Sequence, residues 1–179
     1  MTKNISLEIK RSIRVVKDFP KKNILFQDIT SITNNPKLFK KIILEISKYI
    51  KKNKISKVAG IEARGFIFAA AVAFSNDIPF VPIRKKNKLP GKTYKQKYKL
   101  EYGMDEIHVH TNAINKNDRV LVIDDLIATG GTAVAASKLI SKFKPEKISF
   151  FIIIDLKNLN GSNIISNNFD FKSLYETNG

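Results

Sequence analysis

The chain predicts an α/β domain with a mostly parallel central sheet flanked by helices, and three observations carry that prediction. Short aliphatic stretches alternate with longer amphipathic or apolar ones, the pattern of strand–helix units packed on a parallel sheet. Residues 120–133, VLVIDDLIATGGTA, read as a buried strand, an acidic pair, a small-residue turn and a helix start. A chain of 179 residues with 43% hydrophobic content fits one domain with a sizeable core.

In chain order, Ile5, Ile9, Ile13 and Val16 recur at helical spacing, so an amphipathic helix is expected over 5–17, ended by Asp18-Phe19-Pro20. Residues 23–31 predict a short irregular or extended segment. Asn34-Asn35-Pro36 is a helix start, and Leu38, Ile42, Ile46 and Ile50 carry one face of that helix to about residue 52. Strands are expected at 58–61 and 80–83, with an apolar helix over 66–74 between them. From 84 to 110 the chain turns basic, with Pro90-Gly91 and spaced Tyr94, Tyr98, Leu100 and Tyr102, which predicts a projecting hairpin or flap. A central strand at 120–123, a helix at 133–143 and a strand at 148–154 complete the alternation. No internal repeat or long low-complexity linker interrupts it.

Ligands of open α/β sheets bind beyond the carboxyl ends of the strands. A Gly-rich turn feeding a helix offers backbone N–H donors and a favourable dipole to a phosphate. Ala128, Thr129, Gly130, Gly131 and Thr132 supply such a turn. It is no Walker A loop, because no Lys follows the glycines. Asp124 and Asp125 would repel a phosphate and suit sugar hydroxyls or a metal ion better. The combination points to a phosphorylated sugar, although Asp also caps helices and paired glycines also mark ordinary turns. Glu62-Ala63-Arg64-Gly65 is a second strand–turn–helix element, whose Arg64 fork suits a diphosphate. Arg84 to Gly91 forms a basic loop that solvation alone could explain. Glu101 is placed for acid–base work on a closing flap. His108 and His110 read as ordinary strand residues.

Without cysteine, disulfides and thiolate metal sites are excluded. The apolar run at 66–74 is far short of the roughly 20 residues that span a bilayer, and the N-terminus lacks the apolar core of a signal peptide. No membrane association is expected, and a cytoplasmic location is. The net charge of +16 rests on 27 Lys and only 5 Arg, dispersed along the chain. Coding bias towards A/T-rich codons with a solvated surface accounts for this best. Long-range recruitment of a polyanionic substrate comes next, and nucleic-acid binding last, so no nucleic-acid partner is expected.

Residues 120–133 resemble the phosphoribosyl-diphosphate (PRPP) motif of the type I phosphoribosyltransferases, and the likeness extends to the adenine-specific members. Asp18-Phe19-Pro20 with 24–30 (ILFQDIT) resembles their base-binding segment, and 59–66 (AGIEARGF) their diphosphate loop. Pro82-Ile83-Arg84-Lys85, Lys88-Leu89-Pro90-Gly91 and Leu100-Glu101-Tyr102-Gly103 resemble their mobile loop. The matches run in order from about residue 12 to 155. The resemblance implies the type I fold in a single domain over 1–179, with a small hood at 1–35 and a mobile flap at 84–110. It implies purine salvage by transfer of 5-phosphoribosyl from PRPP to adenine, giving AMP and diphosphate with Mg²⁺, in a homodimer.

The resemblance also implies roles. Ala128, Thr129, Gly130, Gly131 and Thr132 would hold the 5′-phosphate, and Asp124 and Asp125 the ribose hydroxyls. Glu62, Ala63, Arg64, Gly65, Arg84 and Lys88 would serve the diphosphate, with Mg²⁺ reached through it and the acid pair. Leu25, Phe26 and Gln27, with Leu126 or Ile127, would line the adenine pocket. Glu101 would manage the adenine proton, and with Arg64 carry catalysis. Position 27 is Gln where the family usually has Arg, and Lys22-Asn23 stands in place of its Pro-Gly. Two rival readings are a phosphoribosyltransferase for a 6-oxopurine and a PRPP-sensing regulator that binds nucleic acid.

Overall fold

The computed structural model describes residues 2–99 and 103–178. Five parallel strands run in the order β4 (Phe80–Lys85), β3 (Lys57–Ile61), β7 (Arg119–Ile127), β8 (Lys147–Leu156) and β9 (Asp170–Thr177). An antiparallel hairpin, β5 (Thr93–Lys99) and β6 (Met104–His110), extends the sheet beyond β4. A separate two-stranded sheet pairs β1 (Arg14–Lys17) with β2 (Leu25–Asp28) near the N-terminus.

Apolar cores cover both faces of the sheet. On one, α1 (Thr2–Ser12), α3 (Pro36–Asn53) and α4 (Gly65–Asn76) bury Ile9, Ile42, Ile46 and Phe68 against Leu121, Ile123 and Phe151. On the other, α5 (Gly131–Ser141) and α6 (Gly161–Ser166) bury Ala136, Leu139, Ile140 and Ile165 against Val120, Val122, Phe150 and Ile152. Alternate residues of β7 thus feed opposite cores, as the period of a strand requires.

Helix α3 matches its sequence signals. Asn35 accepts a hydrogen bond from the Leu38 amide (3.1 Å), Pro36 opens the helix and Lys54 closes it in the left-handed conformation. The expected stripe of Leu38, Ile42, Ile46 and Ile50 is buried.

Three segments differ from expectation. The N-terminal helix stops at Ser12 rather than 17, because the run Arg14, Val15, Val16 leaves it to pair with β2. β-branched residues lose less in a strand than in a helix. Val16 is therefore exposed on a strand. The segment 84–110 does form a hairpin, but it starts inside β4 and its second strand joins the main sheet, Arg84 opposite His108 and Lys85 opposite Ile107. Ile107 and Val109 are fully buried, which anchors the hairpin to the core. His108 contacts Glu106 on its own strand (2.8 Å) and Thr93 on the neighbouring one (3.0 Å), ordinary sheet partners. Finally, β7 runs on to Ile127, so the acidic pair lies within the strand.

Asp28 ties the small sheet to α2 (Thr30–Thr33). Its carboxylate accepts from the Thr30 amide (2.9 Å), the Thr30 hydroxyl (2.7 Å) and Arg14 Nε (2.9 Å). These bonds, Thr30 first and Arg14 next, hold its pKa down to about 2. A carboxylate depressed in the folded state adds stability above its unfolded pKa of about 4, lost as pH falls through the folded value. Asp28→Asn is expected to lower the melting temperature at neutral pH. Its deficit against the unmodified chain should shrink between about pH 4 and about pH 2, and a deficit constant with pH would remove the charged bonds from the account.

Candidate active site

The carboxyl end of β7 and the starts of α4 and α5 meet around one cavity of about 320 Å³. Glu62, Ala63, Arg64, Lys85, Asp124, Asp125 and the turn from Ala128 through Thr132 line it. The two strand–turn–helix elements singled out in the sequence therefore share one site. The Glu62–Ala63 peptide bond is cis.

Close backbone approach makes this possible at two places. A Cβ on Gly65 would stand 2.8 Å from Asp124 Oδ1 and 2.8 Å from the Ile123 carbonyl, so only glycine lets α4 begin directly against β7. In the turn, Gly130 takes a left-handed φ of 81° and backs onto Gly161. A Cβ on Gly161 would lie 2.3 Å from the Ala128 carbonyl and 2.5 Å from the Gly130 amide. The Gly161 amide donates to that same carbonyl at 3.0 Å. Gly161 was not anticipated from the sequence, because its partners lie some thirty positions away and an isolated glycine carries no local signal. The start of α5 has no side-chain cap, so its first amides remain available at the cavity wall.

Asp125 is buried and pairs with Arg64 Nε at 3.0 Å, a charge contact that leaves Asp125 Oδ2 without a well-directed hydrogen bond. Asp124 is half-buried and accepts from the Asp125 amide at 3.0 Å. Burial, then the neighbouring Asp125 charge, pushes the Asp124 carboxyl well above its ordinary range. Burial also raises Asp125, against the opposing pull of Arg64. Two adjacent carboxylates in a low-dielectric wall favour a ligand that brings hydrogen-bond donors or positive charge. Among the described residues, no group of three or more His, Cys, Asp or Glu gathers to hold an ion directly.

Glu62 and Arg84 engage each other. Arg84 donates twice to the Glu62 carboxylate (3.1 and 3.2 Å), and the Lys85 amide donates to it at 2.7 Å. The Arg84 bond holds Glu62 below the usual carboxylate range, and Glu62 in turn raises Arg84. The pair pins the loop after β3 to the end of β4. Lys88 is exposed in the turn after β4 and does not line the cavity, whereas Lys85 does. Lys85 Nζ bonds Tyr98 (2.6 Å) and Asp105. Burial alone would lower its pKa, but these partners outweigh burial and raise it. Adjacent basic residues on a strand face opposite ways, and sequence alone does not show which one faces the site.

A second cavity, of about 470 Å³, adjoins the first. Leu25, Phe26 and Gln27 of β2 form one side, with Leu126, Leu156 and Leu159 opposite. Arg64 lines both cavities, and its guanidinium lies 5.4 Å from the centroid of the Phe26 ring. Leu126 lines both as well. Ile127 is absent from the second cavity and is buried among the residues packed under α5. Glu101 lies outside the described residues.

The phosphoribosyl transferase domain family matches residues 28–165. An adenine phosphoribosyltransferase of Helicobacter pylori is 47% identical over 92% of this chain and 93% of its own. The crystal structure of adenine phosphoribosyltransferase from Rhodothermus marinus superposes with a TM-score of 0.90, at 38% identity, over 98% of this chain and 99% of that one. The Saccharomyces cerevisiae enzyme, solved with an imino-altritol bisphosphate and adenine, gives 0.89 at 34% identity over 96% and 99%.

A carboxylate raised in the folded state costs stability above its unfolded pKa of about 4, and the cost grows as pH rises through the folded value. Asp124→Asn is therefore expected to raise the melting temperature at neutral pH, with the gain vanishing below about pH 4. Thermal unfolding across pH measures this, and an unchanged or lowered neutral melting temperature would contradict it.

Proposed function

The chain belongs to the phosphoribosyl transferase family, and from that premise we propose how its two cavities divide the work. It is an enzyme of purine salvage, transferring the 5-phosphoribosyl group of PRPP to adenine with release of AMP and diphosphate. The observation that carries the division is the adjacency of an acid-and-amide cavity to an apolar one, with Arg64 on the wall between them.

The turn from Ala128 through Thr132 holds the 5′-phosphate with backbone amides and the Thr129 and Thr132 hydroxyls. Asp124 and Asp125 accept from the ribose hydroxyls, whose donors compensate carboxyl groups that burial pushes up. Arg64, with Lys85 nearby, takes the diphosphate by giving up part of its contact with Asp125. Glu62 and Arg84 keep the loop in shape through their mutual pair, and the Ala63 and Gly65 backbone completes the cradle. Leu25, Phe26 and Leu126 flank the adenine ring, and Gln27 closes the inner end.

Mg²⁺ fits this donor set: hard carboxylate oxygens, one lacking a directed hydrogen bond, suit an ion that arrives on the substrate's phosphates and keeps some of its waters. When bound it would neutralise charge growing on the leaving diphosphate. Positive charge builds at C1′ as its bond to the diphosphate oxygen breaks and the bond to adenine N9 forms, while Arg64 stabilises the departing oxygens. Glu101 handles the proton at adenine N7 or N9, and closure of the hairpin keeps water from the reactive carbon.

We assign the assembly as a homodimer in the cytoplasm. Helix α4 leaves Phe74 92% exposed and Ile67 43% exposed, on one stripe with Ala70, a pattern suited to covering by a second copy. No helix among the described residues is long and apolar enough to cross a membrane.

The direct test incubates the protein with PRPP, Mg²⁺ and equal amounts of adenine, hypoxanthine, guanine and xanthine. AMP alone is the expected product, and IMP, GMP or XMP would overturn the base assignment. Asp125→Asn should raise the PRPP KM, while Glu101→Ala should lower kcat by roughly 100-fold or more with smaller effects on KM. Wild-type kcat in the latter would take Glu101 out of the chemistry. Phe74→Asp should shift the protein from dimer to monomer in analytical ultracentrifugation, and a persistent dimer would move the interface off α4.

A further inference from the structure

Side chains from β4, β5 and β6 meet at the edge of the first cavity. Lys85 ends β4 and stands opposite Ile107 of β6. Asp105 lies two residues before Ile107, and Tyr98 of β5 stands opposite Asp105. Residues two apart on a strand share a face, as do residues directly opposite on neighbouring strands. Lys85, Asp105 and Tyr98 therefore come to the same side of the sheet. Lys85 Nζ donates to the Tyr98 hydroxyl at 2.6 Å and to Asp105 Oδ2. The Tyr98 hydroxyl donates to that same carboxylate oxygen at 3.0 Å. The other oxygen, Asp105 Oδ1, accepts from the Glu106 amide at 2.7 Å.

This triangle fixes a cation at both ends of its stem. The Lys85 amide donates to Glu62 at 2.7 Å, and the hairpin holds the ammonium. An ammonium carries three donors. Tyr98 and Asp105 take two, which leaves the third for the cavity that Lys85 lines. Burial would raise the Asp105 carboxyl, but bonds from Lys85, the Glu106 amide and Tyr98 outweigh it and hold the group below its usual range. The pair is thus charged at neutral pH. Tyr98 lines the cavity beside Lys85, and Asp105 does not. A carboxylate off the cavity wall acts on a ligand there only through its partners.

We propose that Asp105, with the Tyr98 hydroxyl as bridge, is a positioning residue for the diphosphate, holding the Lys85 ammonium at one place on the cavity wall before PRPP arrives. The inference rests on the reading of this cavity as the PRPP site. A free lysine has a flexible four-carbon stem and loses that freedom when it binds an anion. A lysine already held loses little, and its phosphate contact forms in place. Tyr98 and Asp105 belong to the hairpin and Lys85 to β4, so the cation is held only where β6 lies in register on β4.

The test compares ligands with and without the diphosphate in a cycle between Asp105 and Lys85. Dissociation constants of Mg²⁺-diphosphate and of AMP are measured by calorimetry, beside the KM of PRPP. The proteins are the unmodified enzyme, Asp105→Asn, Lys85→Met and the double variant. Asp105→Asn is expected to weaken diphosphate and PRPP by about 5- to 30-fold, with AMP within about twofold. In the Lys85→Met background the same change should weaken diphosphate by less than about twofold. A merely structural pair would weaken all three ligands alike, or keep its full effect without Lys85, and either result overturns the proposal. So does diphosphate binding that Asp105→Asn leaves unchanged. Should Asp105→Asn fail to fold, Tyr98→Phe, which keeps the ring and removes the bridging hydroxyl, takes its place with the same expected pattern. Failure of the unmodified enzyme to form AMP would sink the underlying reaction, and the diphosphate constants would still decide the role of Asp105.

Discussion

Everything at the site depends on how closely the first turn of α4 can approach the end of β7. Gly65 sits where any side chain would strike Asp124 Oδ1 and the Ile123 carbonyl. An alanine there would overpack a backbone contact, at a cost of about 1–3 kcal/mol, and would push Arg64 away from Asp125. That one steric allowance sets the separation between the acid pair and the guanidinium. It also sets the width of the cavity they share.

The acid pair is a charge arrangement that opposes folding and serves binding. Burial raises both carboxyl groups, the Asp125 charge raises Asp124 further, and Arg64 offsets only part of this. A ligand with hydroxyl donors and an accompanying cation relieves the same repulsion. Binding energy therefore comes partly from removing a cost already present in the empty site, the usual trade between stability and function. Two other acids are compensated: Glu62 has Arg84, and Asp118 has Lys57 at 3.1 Å with the Asn115 amide.

Arg64 couples the two cavities. It faces Asp125 on one side and the Phe26 ring on the other. A diphosphate that draws the guanidinium away also changes the rim of the base pocket, so occupancy of one cavity alters the shape of the other. The coupling needs no large motion, because one side chain belongs to both walls.

Much of this was legible in the order of residues. Period and capping placed α3, with Asn35, Pro36 and its Ile stripe. The strand–acid–glycine run placed the turn from Ala128 through Thr132, and residues 59–66 placed Arg64, both at the first cavity. The sequence misjudged what depends on distant partners. Val15 and Val16 join a strand because β2 is there to pair with them, and β7 continues through Asp124 and Asp125 because β8 hydrogen-bonds it that far. Lys85 lines the cavity and Lys88 does not because β4 ends at Lys85 and Lys88 lies in the exposed turn beyond it. Gly161 matters only because α6 returns behind Gly130. The sequence by itself determined the alternating architecture and the chemical groups of the site, since both follow from local periodicity and residue type. Tertiary structure decided which strand face each group occupies and which groups share a wall, because facing and contact are set by partners far away along the chain.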